Sequence, residues 1–219
     1  MIELENITKE YGDRKILSGL TGTFFPGRLY AVTGRSGAGK STFLNIIGLL
    51  DHRFSGSLRF YGRETSAMGD RERSRIRGRE IGFLFQYFNL IEELSVAENI
   101  MLPRLYGGRR DGPEIRGRMR QLSEMLGLGD LLQSKAGSLS GGEQQRAALA
   151  RSLLMEPAVI LADEPTGSLD CRNAEIVMEC LKTQAERNRL VIVVTHDASV
   201  LRYADEVLDL REGCLPSGN

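Results

Sequence analysis

The sequence predicts an α/β fold in which a parallel sheet with helical crossovers is interrupted by a mostly helical insertion. Three observations carry this. Residues 29–33 (LYAVT) form a short apolar run that ends in a glycine-rich turn. Residues 40–50 then place Phe43, Leu44, Ile46, Ile47 and Leu50 at helical spacings of one, three and four. Residues 159–162 (VILA) and 190–195 (LVIVVT) are unbroken apolar runs with β-branched members, as strands buried on two faces require. Residues 172–188, between these runs, read as a helical crossover, and residues 95–132 are helical in pattern, broken at Gly107 and Gly108 and again at residues 111–113.

The other elements follow in order. Ile2, Leu4 and Asn6 alternate with Glu3, Glu5 and Ile7, which predicts a half-buried edge strand with Ile7 on the face opposite Ile2 and Leu4. Residues 57–61 (SLRFY) and 81–85 (IGFLF) suit two further strands, separated by an arginine-rich segment. Residues 143–155 read as a helix that stops before Pro157.

The chain has 219 residues, 41% of them hydrophobic, enough for one substantial core. Formal net charge is zero, so no global field draws it to nucleic acid or an anionic bilayer. Residues 53–120 hold 14 Arg against nine acids, whereas residues 121–219 hold nine Lys or Arg against 15 acids. Solvated helix faces account for such a split. Cys171, Cys180 and Cys214 are odd in number and lack metal-ligand spacing, which points to a reduced, intracellular setting. The opening MIELENITKEYGDRKIL lacks the basic and apolar regions of a secretion signal, and no run of about 18 apolar residues exists to span a membrane.

Two segments carry chemistry. Gly34-Arg35-Ser36-Gly37-Ala38-Gly39-Lys40-Ser41, with Thr42 after it, matches the phosphate-loop pattern G-x-x-x-x-G-K-S between an expected strand and helix. Glycines let backbone N–H groups turn toward phosphate oxygens, the helix start adds its positive end, Lys40 adds a point charge, and Ser41 offers a hydroxyl to Mg²⁺. At the end of the 159–162 run stand Asp163 and Glu164, adjacent carboxylates that a buried strand end tolerates beside a cation. Asp163 is the expected Mg²⁺ ligand, and Glu164 the expected base for a water attacking a γ-phosphate.

Leu139-Ser140-Gly141-Gly142-Glu143-Gln144-Gln145-Arg146 resembles the signature of ATP-binding-cassette (ABC) transporter ATPases. It is a second ready-made anion site, a serine and two glycines opening a helix. The resemblance covers essentially the whole chain, and implies one nucleotide-binding domain over residues 1–219. The implied fold is a P-loop NTPase (RecA-like) core with an antiparallel β subdomain and a helical ABC-specific subdomain at about residues 87–155. It also implies ATP and Mg²⁺ as cofactors, and dimers in which Ser140, Gly141 and Gly142 cap the nucleotide held by the opposite chain. Tyr11 matches the aromatic that stacks on adenine. Gln86 matches the glutamine that touches Mg²⁺ and water. Asp170, in Ser168-Leu169-Asp170, matches the loop that crosses the dimer interface. His196 matches the histidine that contacts the γ-phosphate, whereas His52 has no such context and reads as surface.

The stretches GFLFQYFNL (82–90), LSGGEQQR (139–146) and LADEPTG (161–167) resemble the branch of lipoprotein-release and macrolide- or peptide-export ATPases, with a cell-division ATPase also similar. Arg35 and Ser168 depart mildly from that branch's commonest wording. The branch implies a peripheral protein at the cytoplasmic face of the inner membrane, working with a transmembrane permease subunit and a second copy of itself. Tyr87, Phe88, Asn89, Leu90 and Ile91 are expected to form part of a groove for a partner helix, with core packing of the helical lobe as the alternative. A soluble ABC ATPase of DNA repair or chromosome organisation is the competing class. The arginine surplus is its one support, and the coiled coils, zinc modules or second cassette usual in such proteins are missing from this sequence.

Overall fold

A computed structural model of the chain describes residues 1–108 and 112–210, so Cys214 and Asp111 of the expected turn lie outside the described residues. Strands β1 (Ile2–Tyr11) and β2 (Arg14–Phe24) open as a hairpin, and β3 (Leu29–Thr33) leads through the glycine loop to α1 (Lys40–Ile47). Strands β4 (Ser55–Phe60) and β5 (Arg63–Glu64), helix α2 (Asp70–Glu80) and strand β6 (Ile81–Leu84) follow. The helical stretch comprises α3 (Val96–Met101), α4 (Pro103–Gly107), α5 (Pro113–Met125) and α6 (Gly141–Leu153). Strand β7 (Val159–Asp163), helix α7 (Cys171–Glu186) and strands β8 (Leu190–Val194) and β9 (Glu206–Asp209) complete the described chain.

Two sheets result. The first is antiparallel, in the order β2-β1-β4-β5, and the second is parallel, in the order β6-β7-β8-β3-β9. The β-branched runs form the centre of the parallel sheet, and alternate residues supply two cores. Leu29, Ile160, Ala162, Val191 and Val193 face the helical side, joining Ile100, Leu122, Leu149 and Leu181. Tyr30, Val32, Val159, Leu161, Ile192 and Val194 face α1 and the antiparallel sheet, joining Ile2, Leu20, Phe43 and Leu58. Strong hydrophobicity without alternation is what two buried faces demand.

The first strand departs from expectation. β1 lies between β2 and β4 and is no edge, and Ile7 is buried with Ile2 and Leu4 on one side. A bulge causes the switch: pairing slips between Leu4 and Ile7, and Asn6 takes φ 53°. One extra residue reverses the facing of everything after it. Gly56 of β4 makes room, since a Cβ there would sit 2.5 Å from the carbonyl oxygens of both Glu5 and Asn6. The expected helix over 40–50 ends sooner, at Ile47, with Gly48 as cap and Leu49 at φ 59°. The arginine-rich segment forms α2, which buries none of its residues, so its charges are largely a solvated face.

Among the described residues no helix is long and apolar enough to cross a membrane. Cys171 is exposed and Cys180 buried, both as free thiols, and His52 is exposed.

Candidate active site

The parallel strands end together, and their C-terminal ends carry the chemistry. β3 runs into the loop Gly34–Gly39, β7 ends at Asp163, and β8 is followed by Thr195 and His196. Gly39 shows why the loop needs glycine. Its φ is +95°, and a Cβ would stand 2.8 Å from Leu17 and 2.9 Å from Ile16 of the β2 strand. The first turn of α1 contains no acidic residue, so its unpaired N–H groups and positive end are left for an anion. Lys40 Nζ donates to the Gly34 carbonyl at 3.0 Å and stays inside the loop. Ser36, Gly37, Gly39, Lys40, Ser41 and Thr42 line a cleft of about 380 Å³ together with Gln86, Asp163 and Glu164. Arg35 and Ala38 shape the loop through backbone, with the Ala38 N–H donating to the Arg35 carbonyl at 3.0 Å.

Asp163 and Glu164 diverge as adjacent strand-end residues must. Burial pushes the Asp163 carboxyl above the usual carboxylate range. The Ser41 hydrogen bond and the Lys40 charge oppose that rise, while the charge of Glu164 adds to it. Glu164 is buried and held at φ 45°, a left-handed conformation costly for a side chain with a Cβ. Its carboxylate accepts the Thr195 hydroxyl at 3.0 Å and the His196 N–H at 3.2 Å, and meets His196 Nδ1 at 2.7 Å. The ring of His196 is otherwise 72% exposed. The histidine expected at a phosphate therefore also fixes the carboxylate expected to be the base.

Ser41, Gln86 and Asp163 all border the cleft and offer only oxygen or amide donors. Mg²⁺ accepts such a sparse set because water and substrate phosphates complete its shell. Among the described residues no group of three or more His, Cys, Asp or Glu side chains could hold a metal.

Other expected residues stand apart from the cleft lining. Tyr11 is 53% exposed near the tip of the β1–β2 hairpin, and its hydroxyl donates to Asp51 at 3.2 Å. Ser140 caps α6: its hydroxyl accepts from the Glu143 N–H at 3.4 Å and donates to the Glu143 carboxylate at 2.6 Å. Ser140 and Gly141 are exposed, and none of Ser140, Gly141 and Gly142 lines the cleft of their own chain. Asp170 caps α7 by accepting the Asn173 N–H at 2.8 Å. Asn173 also bonds Arg146 and lies against Gly142, which joins the signature helix to the Asp170 loop in one surface.

Sequence reasoning missed four contributors. Arg14 lines the cleft and its guanidinium borders Gly37, but a charged residue in a hairpin carries no local signal. Thr195 looks like one more strand residue. Gln145 donates to the Pro165 carbonyl at 2.7 Å and ties α6 to the turn after Glu164. Asn173 reads as an ordinary helical position.

The loop after Gln86 divides. Tyr87 is 80% exposed, whereas Phe88 turns toward the helical core and approaches Gly141. Arg151 donates to the Phe88 carbonyl at 2.7 Å and to the Asn89 carbonyl, pinning the loop. A groove of about 1400 Å³ lies beside it, between α2, β6, α4 and the end of α6. Its floor includes Phe83 and Phe85, stacked at 5.4 Å, and its rim includes Arg71, Arg75 and Tyr106. Asn89 lines this groove, but Tyr87, Phe88, Leu90 and Ile91 do not.

Comparison with known proteins adds the following. The family profile described as ABC transporter matches residues 17–167. The lipoprotein-releasing system ATP-binding protein LolD of Xanthomonas campestris pv. campestris is 42% identical over 221 residues, covering 98% of this chain and 92% of that protein. The macrolide export ATP-binding/permease protein MacB of Chlorobaculum tepidum is 40% identical over 217 residues, 97% of this chain. The chain spans only about a third of the length of that relative, 33%. A dimeric ATP-binding cassette in a post-hydrolysis state, bound to ADP and Pi, superposes with a TM-score of 0.90 at 38% identity, covering 99% of this chain and 97% of its own.

Proposed function

The chain belongs to the ABC transporter family, and from that premise we propose that it hydrolyses ATP to drive a separate membrane-spanning permease of the export or lipoprotein-release branch. The observation that carries this reading is Glu164, a buried carboxylate in a costly backbone conformation, oriented by Thr195 and His196 beside the phosphate loop.

The residues act as follows. Backbone N–H groups of residues 34–42 and the Lys40 ammonium bind the triphosphate, with Arg14 adding charge at the cleft wall. Ser41, Gln86 and Asp163 would hold Mg²⁺, which neutralises charge on the β- and γ-phosphates. Glu164 orients a water molecule and takes its proton as general base. With Nδ1 of His196 donating to Glu164, Nε2 is the ring nitrogen left for the γ-phosphate, and it donates to a phosphate oxygen only when the ring carries both protons. Tyr11 serves as the platform for the base.

Ser140–Gly142 do not reach the cleft of their own chain, which supports their use on the nucleotide of a second copy. The Ser140 N–H is taken by the Glu143 carboxylate at 2.8 Å, so the backbone of Gly141 and Gly142 at this helix start is the part suited to an anion arriving from outside. Two nucleotides then lie between two chains, each bound by one phosphate loop and one partner helix, and hydrolysis removes the bridging charge. The groove beside β6 supports docking of a permease segment, because its floor residue Phe85 directly precedes Gln86 of the cleft. The relatives named as transport-system ATPases, together with the lack of a spanning helix among the described residues, support a peripheral place on the cytoplasmic face of the membrane.

Glu164→Gln tests the scheme. The variant is expected to bind Mg·ATP, to lose at least about 10²-fold in turnover, and to accumulate as a dimer in saturating ATP, read by light scattering. Unchanged turnover, or a monomer at saturating ATP, would overturn it.

A further inference from the structure

The hydrolytic scheme leaves one buried charge unused. Lys9 of β1 is 5% exposed, an environment an ammonium tolerates only when matched. Its Nζ lies 2.6 Å from Asp51 Oδ2 and donates to the Arg53 carbonyl, also at 2.6 Å. The same Nζ stands 4.7 Å from the centroid of the Tyr11 ring, within cation–π range. Asp51 in turn accepts the Tyr11 hydroxyl at 3.2 Å, and its second oxygen accepts the Arg53 N–H at 2.9 Å. One face of the tyrosine is thus covered by a cation and its hydroxyl end is tethered, while the residue as a whole stays 53% exposed.

Asp51 is also fixed from behind. Its N–H donates to the Asn45 carbonyl at 3.0 Å, at the end of α1. That helix has eight residues, about 12 Å of rigid rod, and its other end is the phosphate loop. Lys9 and Tyr11 belong to the antiparallel sheet and α1 packs on the parallel one, so this cluster joins the two. A nucleoside triphosphate must meet both at once, with its base on one and its phosphates on the other.

We propose that Lys9 and Asp51 are positioning residues for the nucleotide base: they clamp Tyr11 with one ring face under the ammonium and the other free for a purine, and they set its distance from the phosphate loop. The proposal rests on reading Tyr11 as the base platform. It differs from a plain structural ion pair in what it costs to lose. A structural pair affects every ligand alike through the fold, whereas a clamp affects only ligands that carry a base.

Calorimetric titration of the full chain with Mg·ATP and with Mg²⁺ plus inorganic tripolyphosphate separates the two. Lys9→Met and Asp51→Asn are each expected to weaken ATP about five- to tenfold while tripolyphosphate stays within about twofold. Tyr11→Phe removes only the hydroxyl tether and keeps the variant foldable should Lys9→Met misfold; it is expected to weaken ATP about two- to threefold. Tyr11→Ala is the control for the underlying reading. If it leaves ATP affinity intact, Tyr11 is not the base platform and the reading of that residue falls. If Tyr11→Ala weakens ATP selectively but Asp51→Asn and Tyr11→Phe do not, or if they weaken both ligands equally, the clamp is overturned.

Discussion

Cys171 and Cys180 sit on one helix and face opposite worlds. Cys171 is the first residue of α7 and exposed, while Cys180 shares the inner face with Val177, Met178 and Leu181. Burial pushes the Cys180 thiol up to about 11. Because only the thiolate is nucleophilic, about one Cys180 in a thousand is reactive at pH 8. Iodoacetamide at pH 8 is therefore expected to label Cys171 and spare Cys180, which reacts only in denaturant or near pH 11. Peptide mass mapping checks this, and equal labelling of the two in folded protein would contradict the seating of α7. At this scale the sequence was legible where chemistry demands a residue type at fixed spacing, as for Lys40, Ser41, Asp163 and Glu164. It was silent on Thr195, whose hydroxyl orients Glu164 from within what reads as an apolar strand, and on Lys9, whose burial depends on Asp51, 42 positions away in the chain.

Among elements, helix starts were easier to read than strand faces. Ser95 with Glu98 and Ser140 with Glu143 form the same reciprocal cap, each serine accepting from the third residue and receiving its carboxylate back. That signal is local. The face of β1 is not, because the bulge at Asn6 depends on Gly56 of another strand, and alternation alone assigns Ile7 to the wrong side. The two equivalent caps allow folding and function to be separated at Ser140. Ser95→Ala is expected to cost about 1 kcal/mol of stability and leave ATP-driven dimerisation unchanged. Ser140→Asp keeps a capping acceptor but sets its carboxylate beside that of Glu143, so it should cost about as much stability as Ser95→Ala, about 1 kcal/mol, while placing a negative charge where a phosphate must arrive. Loss of ATP-driven dimerisation at a melting temperature no lower than that of Ser95→Ala is the expected result for that variant. A Ser140→Asp protein that still dimerises with ATP would show that the start of α6 does not face nucleotide.

For the whole molecule, the continuous apolar runs announced the parallel sheet because both of its faces are buried, one by helices and one by α1 and the antiparallel sheet. The chain has two helix starts that suit an anion, and only the one at the phosphate loop borders its own cleft. If the other belongs to a second copy, a two-fold dimer holds two sites, each built from the phosphate loop of one chain and the signature of the other. Lys40→Ala spoils every phosphate loop in its own homodimer, and Ser140→Asp spoils every signature in its own. Mixed dimers combine both lesions in one site and leave the second site entirely native. Mixing the two inactive proteins in equal amounts and allowing exchange makes about half of the dimers mixed, so phosphate release should recover to about a quarter of the unmodified rate. Sites completed within one chain give no recovery, because every chain in the mixture then carries a lesion. A mixture no more active than either variant alone would therefore overturn a site shared between two chains.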